Sequence, residues 1–228
     1  MLDHRPFARL GTFENDWLNA HYHFSFADYF DPARLRVGQV RVWNDDTIRA
    51  GTGFAPHGHR DMEIVTYIRT GAISHEDSLG NQGRTEAGQV QVMSAGTGIR
   101  HAEFNREAVD TTLFQIWILP RAQGVAPRWE TRPFPLAHGR LQLLASGHGE
   151  EGAALIHADA RVLGATLDPG DRVRHRLDGR PAYLVTARGT LSVNGLDLGP
   201  RDGVAVEGET ELTIAAGEDA EFVLVETA

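Results

Sequence analysis

The chain has no cysteine among its 228 residues, and every one of its 22 basic residues is arginine. Without cysteine there is neither a disulfide framework nor thiolate chemistry, so thiol redox sensing is excluded and any redox event falls to a bound metal. The 31 acidic residues outweigh the arginines, giving a net charge of -9 and an isoelectric point near 5.6. That balance argues against direct binding to nucleic acid, although a local arginine patch would survive the average. No stretch approaches the ~18 consecutive apolar residues of a membrane span; the longest apolar run, Leu113 to Leu119, is broken by Gln115. Met1-Leu2-Asp3-His4-Arg5-Pro6 lacks the basic and apolar regions of a signal peptide, so no membrane association and a cytoplasmic location are expected. No histidine follows His175.

What the chain does have is a large apolar fraction, 41%, enough for one large β domain or two small ones. Strand-like runs recur between glycine and proline punctuation: Leu35 to Trp43, Glu63 to Arg69, Val90 to Met93, Thr112 to Leu119, Arg140 to Ala145, Tyr183 to Ala187, Thr190 to Val193, Glu211 to Ala215 and Glu221 to Glu226. This spacing, with few helical periods, predicts an all-β barrel or sandwich. Pro120, Gly124, Pro127, Pro133 and Pro135 interrupt every candidate strand between 120 and 135, so a linker is placed there, with domains 1–130 and 131–228.

Two doublets stand out, His57-Gly58-His59 and His101-Ala102-Glu103, each after a glycine-rich approach and each where a strand is expected. In a strand, residues i and i+2 project from one face about 6.5 Å apart, so two neighbouring strands can present all four side chains to one ion. A lone His-x-His is more often a hydrogen-bonded surface or core feature; the pairing of two doublets makes a metal site the stronger reading. Three imidazoles and one carboxylate suit Fe, Mn, Co, Ni, Cu or Zn and leave coordination positions open for catalysis.

At these residues the chain resembles the cupin superfamily. Gly51, His57, His59, Glu63 and Gly71 follow its first motif with the last gap one residue longer than usual; Gly88, Gly96, His101 and Asn105 follow the second, with Ser94 in place of a frequent proline and four residues rather than two between Gly96 and His101. The likeness narrows to the pirins and bacterial pirin-like quercetinases through His23-Phe24-Ser25-Phe26-Ala27-Asp28-Tyr29-Phe30-Asp31-Pro32, His59-Arg60-Asp61-Met62-Glu63-Ile64-Val65-Thr66-Tyr67 and Ser94-Ala95-Gly96-Thr97-Gly98-Ile99-Arg100-His101-Ala102-Glu103-Phe104-Asn105. Gly58, where a proline is usual, and Ala102, where a serine or similar small residue is usual, depart from the pattern without removing a ligand.

The resemblance implies two tandem cupin barrels, a bicupin, in which His57, His59, His101 and Glu103 hold one divalent transition metal, with iron placed first and Ni, Mn, Co, Cu and Zn open. It assigns Glu63 to a place behind the ligands or on the strand surface. It implies a dioxygenase that takes a small aromatic substrate and O2, cleaving the flavonol ring of quercetin with loss of carbon monoxide, Glu103 accepting the 3-hydroxyl proton. The second half reads as a faded copy of the first. Setting Thr66–Gly71 against Leu184–Gly189 brings His57 opposite His175 but His59 opposite Leu177 and Glu63 opposite Pro181, so the second barrel lacks a site. Three alternatives stay open: a metal-dependent transcriptional regulator of the pirin type with a protein partner, a cupin enzyme with another substrate, and a module whose metal only stabilises the barrel. Two fused barrels already supply the sheet packing single cupins obtain by dimerising, so a monomer is expected.

The remaining candidates carry less. His21 and His23 are assigned structural roles. His75 is placed in a turn, where it would polarise a neighbouring group. His4, His138, His148, His157 and His175 are read as solvated. Trp17, Phe54, Trp117 and Trp129 are candidate walls of a pocket, set against the commoner role of aromatic residues as core.

Overall fold

A computed structural model describes residues 1–133 and 138–228. Among these residues the protein is almost entirely strand, and its one helix is the single 3₁₀ turn Phe7–Arg9; no helix is long and apolar enough to cross a membrane. Four sheets form two cupin-type barrels, each with a seven-stranded and a four-stranded sheet.

In the first barrel the large sheet runs, in spatial order, Arg128–Pro133, Gln89–Ser94, Glu63–Thr70, Thr111–Ile118, Val40–Ile48, Leu18–Tyr22 and Gly11–Glu14. The small sheet runs Gly53–His59, Ile99–Phe104, Ala72–Asp77 and Gln82–Glu86. The second barrel repeats this order. Its large sheet contains Gly203–Val206, Ala182–Arg188, Ala220–Thr227, Ala160–Leu167 and Gln142–Ser146 as consecutive neighbours, and its small sheet Arg172–Arg176, Glu211–Ala216, Leu191–Val193 and Leu196–Leu198. The internal repeat expected from the sequence is thus a repeat of strand order.

Burial explains the two kinds of strand pattern. Both large sheets are covered on both faces, so Ala182–Arg188 and Ala220–Thr227 are buried along nearly their whole length. The small sheets face solvent on one side and alternate, as in Ile99–Phe104 and Glu211–Ala216. The large sheets pack against each other across one shared core that joins Trp43, Tyr67 and Phe114 of the first half to Tyr183, Val185 and Val223 of the second. Asp45, fully buried, ties the halves further by accepting from Arg69 of its own barrel and, at 2.6 Å, from Arg201 of the other.

Several expectations need correction. Val37 and Val40 close a tight turn around Gly38, so the strand expected over Leu35 to Trp43 starts at Val40 and continues through Asn44-Asp45-Asp46 to Ile48, its neighbours on both sides overriding the poor strand propensity of those residues. Arg128–Pro133 is a strand inside the segment expected to have none, and it spans the 130/131 boundary. It is an edge strand, which is where proline is tolerated. Pro135 lies outside the described residues. At the other end, Leu2–Arg5 pairs with Gly203–Val206, so the first residues of the chain complete the second barrel's sheet.

Candidate metal centre

Gly53–His59 and Ile99–Phe104 pair antiparallel with His57 directly opposite His101. Two positions on, Glu103 faces Phe54, not Ala55, because Ala55 and Pro56 together oppose Ala102 in a β-bulge. A bulge is where a strand accepts a proline, which has no N–H for the ladder. Its consequence is parity: Phe54 and His57, three residues apart, both turn toward the barrel interior. Gly53 is required by closeness, since a Cβ there would lie 2.2 Å from the Glu103 carbonyl oxygen.

The three expected imidazoles meet. Ring centroids are 4.8 Å apart for His57 and His59, 4.5 Å for His57 and His101, and 5.0 Å for His59 and His101. His57 Nδ1 donates to the Ala55 carbonyl at 2.8 Å, so Nε2 is the ring nitrogen left to offer a lone pair to an ion. Burial, with the neighbouring imidazoles His101 and His57, pushes His59 down to about 4. Burial, with His57 and His75, pushes His101 down to about 3. Both rings are therefore neutral at neutral pH, the form that offers a lone pair. Neither ring nitrogen of His101 has a hydrogen-bond partner although the residue is 2% exposed. An orphaned buried nitrogen of this kind costs on the order of 1–3 kcal/mol, and a cation among the three imidazoles would satisfy the one of the two that carries the lone pair. The donor set thus fits a transition metal, which His57, His59 and His101 could hold.

Glu103 is placed differently. Its carboxylate lies with His75 and His101, their ligand atoms within 4.8 Å of one another, so His101 belongs to two triads and Glu103 meets the first through it. Both Glu103 oxygens accept amide hydrogen bonds, Oε1 from Gln91 Nε2 at 2.6 Å and Oε2 from Gln115 Nε2 at 3.0 Å.

His75, expected in a turn, is fully buried on the strand Ala72–Asp77, directly opposite Glu103. Its Nε2 donates to Asp77 at 3.0 Å, and its ring stacks on Trp129 at 4.7 Å. Burial opposes the charge on Asp77, but donors from His75, Asn81 and the backbone of Leu79 and Asn81 outweigh it and hold the carboxyl below its usual range. Nδ1 of His75 is left buried without a partner. The signal for this pair was present as His75-Glu76-Asp77, an i, i+2 doublet like the other two.

Glu63 leaves the site altogether. It shares a strand face with Val65 and Tyr67, toward the core between the barrels, and accepts from Ser94 Oγ at 2.7 Å. His23 is fully buried against Tyr183, its Nδ1 2.8 Å from the phenol oxygen, which suits a structural role. Of the histidines read as solvated, His4, His138, His148 and His175 each lie beside a carboxylate, the shortest distance being 2.6 Å between His175 Nε2 and Glu226.

A cavity of about 330 Å³ opens onto His57 and His59 and is walled by Trp17, Phe26, Phe54 and Trp117, with Gln115 at its edge. This is near the lower end of the ~300–1,000 Å³ of small-molecule sites. Three of the four expected aromatic walls are in place; the fourth, Trp129, lies behind His75. A larger hollow of about 630 Å³ beside Leu10 to Phe13 and Tyr29 contains none of the histidines.

Comparison with known proteins gives a consistent picture. The family model named Pirin matches residues 4–118, and that of a quercetinase C-terminal cupin domain matches residues 143–227. A protein of Pseudomonas aeruginosa, provisionally named a quercetin 2,3-dioxygenase, is 57% identical over 232 residues, covering 100% of both chains. Quercetin 2,3-dioxygenase of Escherichia coli K12 is 38% identical over 216 residues, 94% of this chain and 93% of that one. The crystal structure of the bacterial pirin YhhW of Escherichia coli in complex with nickel(II) is similar with a TM-score of 0.95 at 36% identity, covering 100% of this chain and 99% of that one.

Proposed function

The chain belongs to the pirin family, and from that premise we propose that it is a metal-dependent dioxygenase that opens the heterocyclic ring of flavonols such as quercetin with O2 and releases carbon monoxide. The observation that carries this reading is an aromatic-walled cavity that ends on two of three clustered imidazoles. Flat apolar walls select a planar aromatic ligand, and the edge-to-face packing of Trp117 on His59, at 5.0 Å and 84°, holds wall and ligand ring in fixed relation. A divalent ion held by His57, His59 and His101 would supply Lewis acidity toward an enolic hydroxyl.

The remaining work belongs to the chain's own groups. The His57 Nδ1–H to Ala55 bond fixes that ring's orientation, as outer hydrogen bonds do at metal sites. Glu103 is the candidate proton acceptor: it lies beside His101, and each of its oxygens accepts one amide bond and keeps a further lone pair. The names of the relatives, and the nickel(II) held by one of them, support the same chemistry.

The test is oxygen uptake and carbon monoxide release with quercetin by protein loaded in turn with Fe, Ni, Mn, Co, Cu or Zn, with His59→Ala as control. The expected result is turnover that needs both the ion and His59. Glu103→Gln should retain much of the metal, measured by metal content, and lose about 10²–10⁴-fold in turnover per bound ion, the range for removal of a general base. Equal turnover in that variant sinks the base assignment. No uptake with any ion, despite stoichiometric binding, sinks the dioxygenase reading.

A further inference from the structure

Glu103 is 2% exposed, and the two amides that hold it are themselves buried, Gln91 at 2% and Gln115 at 9%. The neighbours of Gln115 fix which way its amide faces. Trp117 Nε1–H, which can only donate, lies 3.1 Å from Gln115 Oε1, and the Glu103 carboxylate, which can only accept, lies 3.0 Å from Gln115 Nε2. A flipped amide would set donor against donor at one end and acceptor against acceptor at the other. A directed chain results, from the Trp117 indole through the Gln115 amide to the Glu103 carboxylate.

The ends of this chain have different surroundings. Trp117 walls the aromatic cavity and packs edge-on against His59, and Gln115 reaches the cavity edge. Glu103 lies behind, among His101, His75 and Gln91. Gln115 is thus the side chain that touches both the cavity and the carboxylate. The fold does not need an amide there. Gln115 pairs with Asn44 and Thr66, and Thr66 with Gln91, whereas the matching row of the second barrel is Leu163, Leu224, Leu184 and Val204. Buried amides are unfavourable unless each is hydrogen-bonded, and here two of the row's members spend their donors on one acid.

We propose that Gln115 is a positioning residue that couples the Trp117 wall of the cavity to Glu103, fixing the carboxylate's orientation toward the metal triad and so the affinity and coordination of the ion. This deepens the proposed function and rests on it only in treating the cavity as the substrate site.

The test uses the full chain and no substrate. Ni(II) affinity is measured by competition with a chelator, coordination by the visible spectrum of the Co(II) form, and metal-free stability by thermal melting. Gln115→Leu should weaken Ni(II) binding by about 10–100-fold, the usual cost of losing a group that orients a ligand, and shift the Co(II) bands. Trp117→Phe, which removes the N–H donor but keeps an aromatic wall, should produce a smaller change in the same direction, and it decides the matter should Gln115→Leu not fold. A swap then separates hydrogen bonding from mere packing. Gln115→Glu sets carboxylate against carboxylate and Glu103→Gln sets amide against amide, but the double variant restores one donor per acceptor with the middle bond reversed. Its metal-free melting temperature should exceed that of either single variant, a non-additivity that contact between the two side chains requires. Wild-type Ni(II) affinity and an unchanged Co(II) spectrum in Gln115→Leu, or strictly additive melting shifts in the swap, would overturn the proposal. Absence of quercetin turnover in the wild type would overturn the functional reading and leave this one standing.

Discussion

The two barrels share one strand order and differ in what fills them. Across the large sheet of the first, the inward row reads Asn44, Gln115, Thr66, Gln91; across the second it reads Leu163, Leu224, Leu184, Val204. On the small sheets, with His175 at the place of His57, Leu212, Ile214 and Val193 take the places of His101, Glu103 and His75. The second barrel is accordingly filled by one continuous apolar cluster, whereas among the described residues the first has two separate apolar clusters on either side of its polar belt. At about 1.5–3 kcal/mol for burying each large apolar side chain, the belt forfeits stabilisation that the second barrel retains. The comparison teaches that the cupin-type barrel needs only the alternation of its strands, and that polar residues inside it have to be explained by chemistry.

The comparison breaks most sharply at the clustered histidines. His101→Ala should lower metal affinity by well over the ~100-fold attributed to outer hydrogen-bonding groups, read by metal content after dialysis, while His175→Ala in the other barrel should leave that content unchanged. Next in size is Leu224→Gln, which places the first barrel's residue at the matching point of the second. An amide without a partner there, with the lost apolar burial, should cost about 3–5 kcal/mol in denaturant unfolding. Gln115→Leu, the reverse exchange, should cost far less and act on the metal instead.

The link between the barrels gives a third test. Asp45→Ala leaves Arg69 and Arg201 facing a buried gap and should cost on the order of 3 kcal/mol, as removing one partner of a buried pair does. Arg201→Ala, which leaves Asp45 its Arg69 partner, should cost less. A double-mutant cycle of the two measures their coupling.

The smallest effect is one of pH. In the unfolded chain a histidine titrates near 6.5, but burial and neighbouring imidazoles hold His59 at about 4 and His101 at about 3 in the folded one. Between these values the unfolded state binds more protons, so the stability they contribute is complete above about pH 6.5 and is lost as the pH falls toward 3–4. The melting temperature of the metal-free protein should decline over that window, and less steeply in His101→Gln. An equal slope in the variant would show that other groups dominate the acid response.

The sequence carried the fold class and the histidine cluster for a local reason. A strand repeats every two residues, so His57-Gly58-His59 and His101-Ala102-Glu103 announce a shared face without knowledge of the partner strand. The same rule applied to His75-Glu76-Asp77 would have found a third doublet. Glu63 resisted it: parity separates Glu63 from Ile64 and Thr66, but both faces of its strand are buried, and parity alone does not say which face holds the site.

By itself, then, the sequence determined that this is an all-β chain of two related halves, that the clustered histidines belong to the first, and that no thiol takes part. The tertiary structure alone decided that Glu103 is held by Gln91 and Gln115, that the first strand completes the second barrel, and that Trp117 rather than Trp129 faces the cavity. The physical reason is range. Ligand doublets and strand alternation are set by neighbours two residues apart, whereas hydrogen-bond partners across a barrel interior are separated by tens of residues and are chosen by sheet register and by a single bulge at Ala55 and Pro56.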